Sequence, residues 1–265
     1  MDVGSALGEA VARLRSRPGL VLLVAFLAVA VATVVTRQTL LATSLTQFIA
    51  QGGDPSALPV SPEELRPVAL ALPMSYGASL GLFALVALVS EYLSIVTLRT
   101  VAGESLRAAA TRRLAPALVV GFVVGALVKT LVAVGLVALL LPGLYVATVL
   151  LFAHARVAID DAGVVEALAG SRRLVKGRLL SVAAVVATLV VFYLTPRLVS
   201  GFLPLEAVGL VVGGLFVGTA NLLSTALVAR AYVSIRDSEP EESEDAEETE
   251  DPYDAPLGPD DLPEP

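Results

Sequence analysis

The chain of 265 residues has no cysteine, one histidine and two lysines. Without cysteine there can be no disulfide, thiol nucleophile or thiolate metal site. A single imidazole, His154, argues against imidazole metal clusters and histidine-based catalytic triads. Charge is scarce as well: 16% of residues are charged, 56% are hydrophobic and the mean hydropathy is +0.81. Soluble domains carry about a quarter charged residues. Here the apolar excess lies in long blocks of Leu, Val, Ala and Gly, the pattern of a multi-pass membrane protein.

Basic residues are missing altogether from residues 237–265, which hold 14 of the 25 acids. The net charge of -7 therefore hides a body in which eleven acids face eighteen bases. The acid-rich, proline-punctuated segment 237–265 is predicted to be a disordered cytoplasmic tail. Nearly all the bases are arginine, and that bias beside an acidic soluble segment fits a salt-adapted organism such as a haloarchaeon.

Crossing a hydrocarbon core of about 30 Å takes roughly 17–25 helical residues. Six runs qualify or come close: Gly19–Thr36, Tyr76–Leu98, Ala117–Leu141, Leu144–Ile159, Leu179–Leu198 and Leu205–Val228. Pro142-Gly143 is expected to separate the third from the fourth. Between Arg113 and Arg156 the only formal charge is Lys129, over a stretch worth about 63 Å of helix, enough for two crossings. Pro196-Arg197 and Pro204-Leu205-Glu206 mark a turn between the fifth and sixth.

Basic residues give the orientation. With the N-terminus in the cytoplasm, fourteen bases fall inside, in clusters around Arg13–Arg17, Arg99–Arg113, Arg156–Arg178 and Arg230–Arg236. Only Arg37, Arg66 and Arg197 fall outside, and Lys129 lies within the membrane. Removing any one crossing would move a basic cluster outside. The expected fold is all-α and polytopic, with six transmembrane helices in three hairpins and both termini cytoplasmic in a cell membrane. Residues 1–18 are read as a cytoplasmic amphipathic segment, 19–236 as the transmembrane domain and 37–75 as an external loop. In that loop "LLATSLTQFIAQ" has the pattern of a short amphipathic helix, followed by turn-rich sequence. A rival reading of the N-terminus is a signal peptide cleaved near Ala30-Val31-Ala32; the long leader before the apolar run favours an uncleaved span.

Three stretches repeat a theme: "SALGEAVARLRSRPGLVLLV", "GESLRAAATRRLAPALVVGF" and "VVEALAGSRRLVKGRLLSVA" each pass through Arg-Leu into an apolar run. Each reads as an interfacial segment leading into a hairpin. Arg172, Arg173, Lys176 and Arg178, with Arg112 and Arg113, are placed to contact anionic lipid headgroups at about 1 kcal/mol each. Nucleic acid is not an expected partner, because no aromatic stacking groups accompany these bases.

The stretch "PGLYVATVLLFAHARVAIDDAGVVEALAGSRRLVKGRLL" combines a span opened by Pro-Gly, a short acidic loop and "EAL..S..L.KG" before the next span. It resembles the multi-pass membrane region attached to some glycerophosphodiester phosphodiesterases, and related haloarchaeal membrane proteins of unknown function. In that family a separate soluble barrel carries the chemistry, and no such domain is found here. The resemblance implies an architecture over about residues 5–235, not a hydrolase activity.

Ionisable or amide side chains inside a bilayer are costly and therefore candidates for function. Glu91, Lys129, His154 and Asn221 are those residues here. Glu91 has two possible partners, Lys129 across about 10 Å of depth, or Asn221 and Ser224 at its own level. His154 with Arg156, Asp160 and Asp161 reads either as a proton or phosphate site or as a charged helix end. Gly121 and Gly125, Gly209 and Gly213, and Gly214 and Gly218 are small-xxx-small pairs suited to tight helix contacts. The leading functional expectation is a non-enzymatic protein that organises membrane or binds a partner, with no cofactor or metal. The alternative is a small transporter or lipid-handling protein using Glu91, Lys129 and Asn221, and a membrane enzyme comes third.

Overall fold

In the computed structural model the described residues are 3–54, 70–201 and 207–238. The acidic tail beyond Ser238, the turn-rich part of the 37–75 segment and the expected turn at Pro204-Glu206 lie outside them. Among the described residues every regular element is helical. In chain order they are α1 (Val3–Leu14), α2 (Arg17–Ala50), α3 (Tyr76–Ala102), α4 (Leu106–Thr111), α5 (Leu114–Ala138), α6 (Leu140–Val149), α7 (Ala153–Asp160), α8 (Val164–Val175), α9 (Leu179–Gly201) and α10 (Ala207–Arg236). The chain is thus an all-α protein. Among the described residues five helical stretches are long and apolar enough to cross a membrane: α2, α3, α5, the α6–α7 stretch Leu140–Asp160, and α10. The bent pair α8–α9 raises the number to six, the two parts meeting at 112°.

Local chemistry sets most boundaries. Ser16, Ser75 and Ser105 cap α2, α3 and α4, their hydroxyls accepting the backbone N–H of Gly19, Ala78 and Ala108 at 3.3 Å each. Gly103, at φ 121°, ends α3, and Gly177, at φ 81°, sits in the bend between α8 and α9.

Four boundaries depart from the sequence expectation. Residues 37–50 are not loop; they continue α2 to a length of about 51 Å. No residue after Arg37 breaks the helix until Gly52, at φ 82°, and the hydroxyls of Thr39, Thr43 and Thr46 donate to carbonyls one turn back. The turn between α5 and α6 falls at Leu139, which is extended at φ -161° and ψ 139°, and not at Pro142-Gly143. Pro142 sits in the first turn of α6, where its missing N–H costs no helix bond. Gly143 serves packing, since a Cβ on Gly135 would lie 2.7 Å from its Cα. The expected fourth span is two helices, α6 and α7, broken at 150–152. Finally, α9 runs through Pro196 to Gly201; proline removes one helix hydrogen bond and need not end the helix.

Sequence neighbours pack side by side, α2 with α3, α5 with α6 and α9 with α10, while α10 also touches α1, α2, α3 and α7. Short helices α1, α4 and α8 precede α2, α5 and α9. The largest buried cluster, including Ile95, Leu98, Phe152, Ala158, Val175 and Tyr232, gathers at the end of the molecule that carries most arginines. Towards the other end apolar side chains face outward, Val134, Val137, Leu140 and Leu194 among them.

Candidate functional site

Helix α3 carries two ionisable groups that face α7, and the site is built around them. Arg99 lies in the last turn of α3 with its side chain fully buried. Its Nε donates to the Ala158 carbonyl at 2.6 Å. One terminal nitrogen donates to the Arg112 carbonyl at 2.5 Å and the other to Asp161 Oδ1 at 3.1 Å. Arg112 completes the knot by donating to Asp161 Oδ2 at 2.9 Å and to the Ile159 carbonyl at 2.9 Å. Glu104 lies 3.0 Å from Arg112. The Ala158 and Ile159 carbonyls belong to the last turn of α7, where no helical N–H remains to take them. Asp161 reaches this position because its backbone is left-handed, at φ 56°.

Asp160 points the other way. It accepts the Tyr232 hydroxyl of α10 and lies 3.6 Å from both Arg156 and Arg236. The Arg236 guanidinium stands 5.8 Å from the centre of the Tyr232 ring. Arg156 reaches over Gly170 to the Glu166 carbonyl at 3.4 Å; a side chain at 170 would collide with it. The Asp160-Asp161 pair therefore ties α7 to α3, α4 and α10.

The break between α6 and α7 is filled by α8. The buried Ser171 hydroxyl donates to the Val149 carbonyl at 2.8 Å and accepts the Phe152 N–H at 3.2 Å. Two backbone groups released by the break thus find one side chain.

Two turns along α3 from Arg99, Glu91 meets His154 rather than Lys129. Glu91 Oε1 and His154 Nε2 are 3.4 Å apart, close enough for a charge pair. Both atoms are buried, yet neither is aligned for a hydrogen bond with any group. Gly121 of α5 makes the space: a Cβ there would stand 2.5 Å from Glu91 Oε1 and 3.5 Å from His154 Cε1. Gly125 lies beside His154 Nδ1, and Lys129, one turn further along α5, is exposed on the surface of the bundle within electrostatic range of His154.

Asn221 is elsewhere. It lines a cleft of about 770 Å³ between α2, α3 and α10, together with Arg37, Gln38, Ser90 and the glycines of α10. Glu91 and Lys129 do not line it. Of the six bases expected to meet lipid, Arg112 is held in the Arg99 knot, and Arg178 donates to the carbonyls of Ile235 at 2.9 Å and Ser238 at 3.1 Å. Arg113, Arg172, Arg173 and Lys176 are exposed. Sequence reasoning missed Arg99, Tyr232 and Ser171 as structural groups. The available signal was the position of Arg99 among Val96, Leu98 and Val101, before the glycine that ends its helix.

Among families of known proteins, one model matches residues 1–236, described as a domain of unknown function (DUF7847). No curated protein and no solved structure matches the chain.

Proposed function

The chain belongs to the DUF7847 family, and from that premise and the geometry we propose a non-enzymatic integral membrane protein that organises anionic lipid at its arginine-rich end. That end faces the cytoplasm, with both termini on the same side. The architecture is the one implied by the resemblance to phosphodiesterase membrane regions.

One observation carries the reading, the division of labour among the bases. Arg99, Arg112, Arg156, Arg178 and Arg230 are engaged by acceptors of the protein itself. Arg113, Arg172, Arg173 and Lys176 are exposed and, among the described residues, have no hydrogen-bond or ion-pair partner. The first set ties helices to one another; the second is left for headgroup phosphates. A transport path through Glu91, Lys129 and Asn221 has less support, because only Asn221 of the three lines the cleft.

The test replaces Arg113, Arg172, Arg173 and Lys176 together by Gln and measures the preference for phosphatidylglycerol over phosphatidylcholine around the protein in nanodiscs. The preference is expected to fall by about fivefold per charge removed, corresponding to about 1 kcal/mol each, with the melting temperature in detergent unchanged. An unaltered preference would overturn the proposal.

A further inference from the structure

We infer that the cleft between α2, α3 and α10 is a binding site for one anionic phospholipid of the leaflet opposite the arginine-rich end. Its phosphate sits at Arg37 and one acyl chain lies in the cleft. The inference rests on the membrane placement proposed above, but on none of the four exposed bases.

Depth comes first. Arg37 stands twenty residues along α2 from Arg17, about 30 Å, or one hydrocarbon thickness. A guanidinium at that level meets the opposite headgroup layer. Arg37 is exposed and pairs with no acid among the described residues, so a fixed positive charge is left at the mouth of the cleft. Beside it, the buried Gln38 Oε1 has no hydrogen-bond partner. A cation alone would be a snorkelling side chain; a cation and an orphaned amide oxygen over a cavity form a place for a polar head. The amide oxygen accepts a hydroxyl, such as the glycerol hydroxyl of a headgroup, while the guanidinium takes phosphate.

The interior fits a chain. Below Arg37 the wall is mostly apolar, with Val29, Val34 and Val217; the hydroxyls of Thr33 and Ser90 that also line it donate to carbonyls of their own helices. Gly214 and Gly218 press against Val34 and Ala30, so α10 closes on α2 and forms the back of the cleft. Its polar floor is Asn221, one turn beyond Gly218, which packs on Ala30 and Phe26 of α2. Phe26 lies eleven residues before Arg37, so the floor is about 16 Å below it, half a bilayer core. A volume of about 770 Å³ is within the roughly 300–1,000 Å³ of small-molecule sites.

Native mass spectrometry of the full chain released from nanodiscs provides the test. Phosphatidylglycerol, phosphatidylcholine with the same chains, and chainless glycerol phosphate are supplied separately. The wild type is expected to retain one phosphatidylglycerol that survives in the four-base Gln variant. Arg37→Gln should weaken that retention by about tenfold, the loss of one charge-assisted hydrogen bond. Val217→Trp should abolish it by filling the cleft. A melting curve shows whether each variant is folded, and Val217→Phe replaces Val217→Trp if the latter is not. Equal retention of phosphatidylcholine, retention of glycerol phosphate, or an Arg37→Gln protein that holds its phosphatidylglycerol unchanged would each overturn the assignment.

Discussion

Arg99 and Glu91 lie on one helix, eight residues apart, and both face α7, but they are housed in opposite ways. Arg99 is completely buried and its three nitrogens all find acceptors. Glu91 touches one imidazole at 3.4 Å, and the facing atoms of both groups lack hydrogen bonds. The difference is one of backbone supply. At the end of α7 the carbonyls of Ala158 and Ile159 are free of helical partners and can hold guanidinium groups. Deeper in the bundle a carboxylate needs N–H donors, and mid-helix N–H groups are committed to their own helices, so Glu91 has only side chains to meet. Buried charge is well held where helices end and poorly held where they pass.

This contrast can be broken by substitution. The largest effect is expected from Arg99→Met, which leaves the Ala158 and Arg112 carbonyls and Asp161 Oδ1 without their buried donor: about 3–5 kcal/mol of stability lost in detergent unfolding. Arg99→Lys should not rescue it, since an ammonium lacks the planar fork. Next comes Ser171→Ala, which leaves the Phe152 N–H and Val149 carbonyl unpaired, at about 1–3 kcal/mol. Hydrogen exchange at Phe152 should rise with it. Gly121→Ala should cost about 1 kcal/mol, at the low end of overpacking, because the Glu91 Oε1 it meets is the tip of a flexible side chain that can shift off His154, and Glu91→Ala in the same chain should relieve the clash. The smallest effect is expected from Glu91→Gln, within about 1 kcal/mol of wild type, because little hydrogen bonding is lost with the charge. A Glu91→Gln penalty as large as that of Arg99→Met would erase the distinction between the two sites.

The helical architecture was legible because apolar run length and arginine placement are local properties of the chain. Where the helices stop was less so. Pro142 and Pro196 looked like breaks, but one starts a helix and the other is carried within it. The real break, at 150–152, has no glycine or proline; it exists because Ser171 of another helix replaces the missing bonds. Glu91, Lys129, His154 and Asn221 could be picked out by cost alone, but their partners depend on helix rotation. Gly121 shows this: as half of a small-xxx-small pair it announced close packing, while its role is to make room for a carboxylate. In the sequence Arg99 is only a cytoplasmic charge, because burial of an arginine depends on acceptors about sixty residues away.

The membrane threading is tested most directly by single-cysteine labelling, which the absence of native cysteine makes clean. Gln51→Cys and Ala169→Cys place one thiol on an exposed position at each end. In intact cells an impermeant maleimide should label the cysteine at 51 at once and the one at 169 only after lysis. Labelling of 169 in intact cells with protection of 51, or equal labelling of both, would contradict the account.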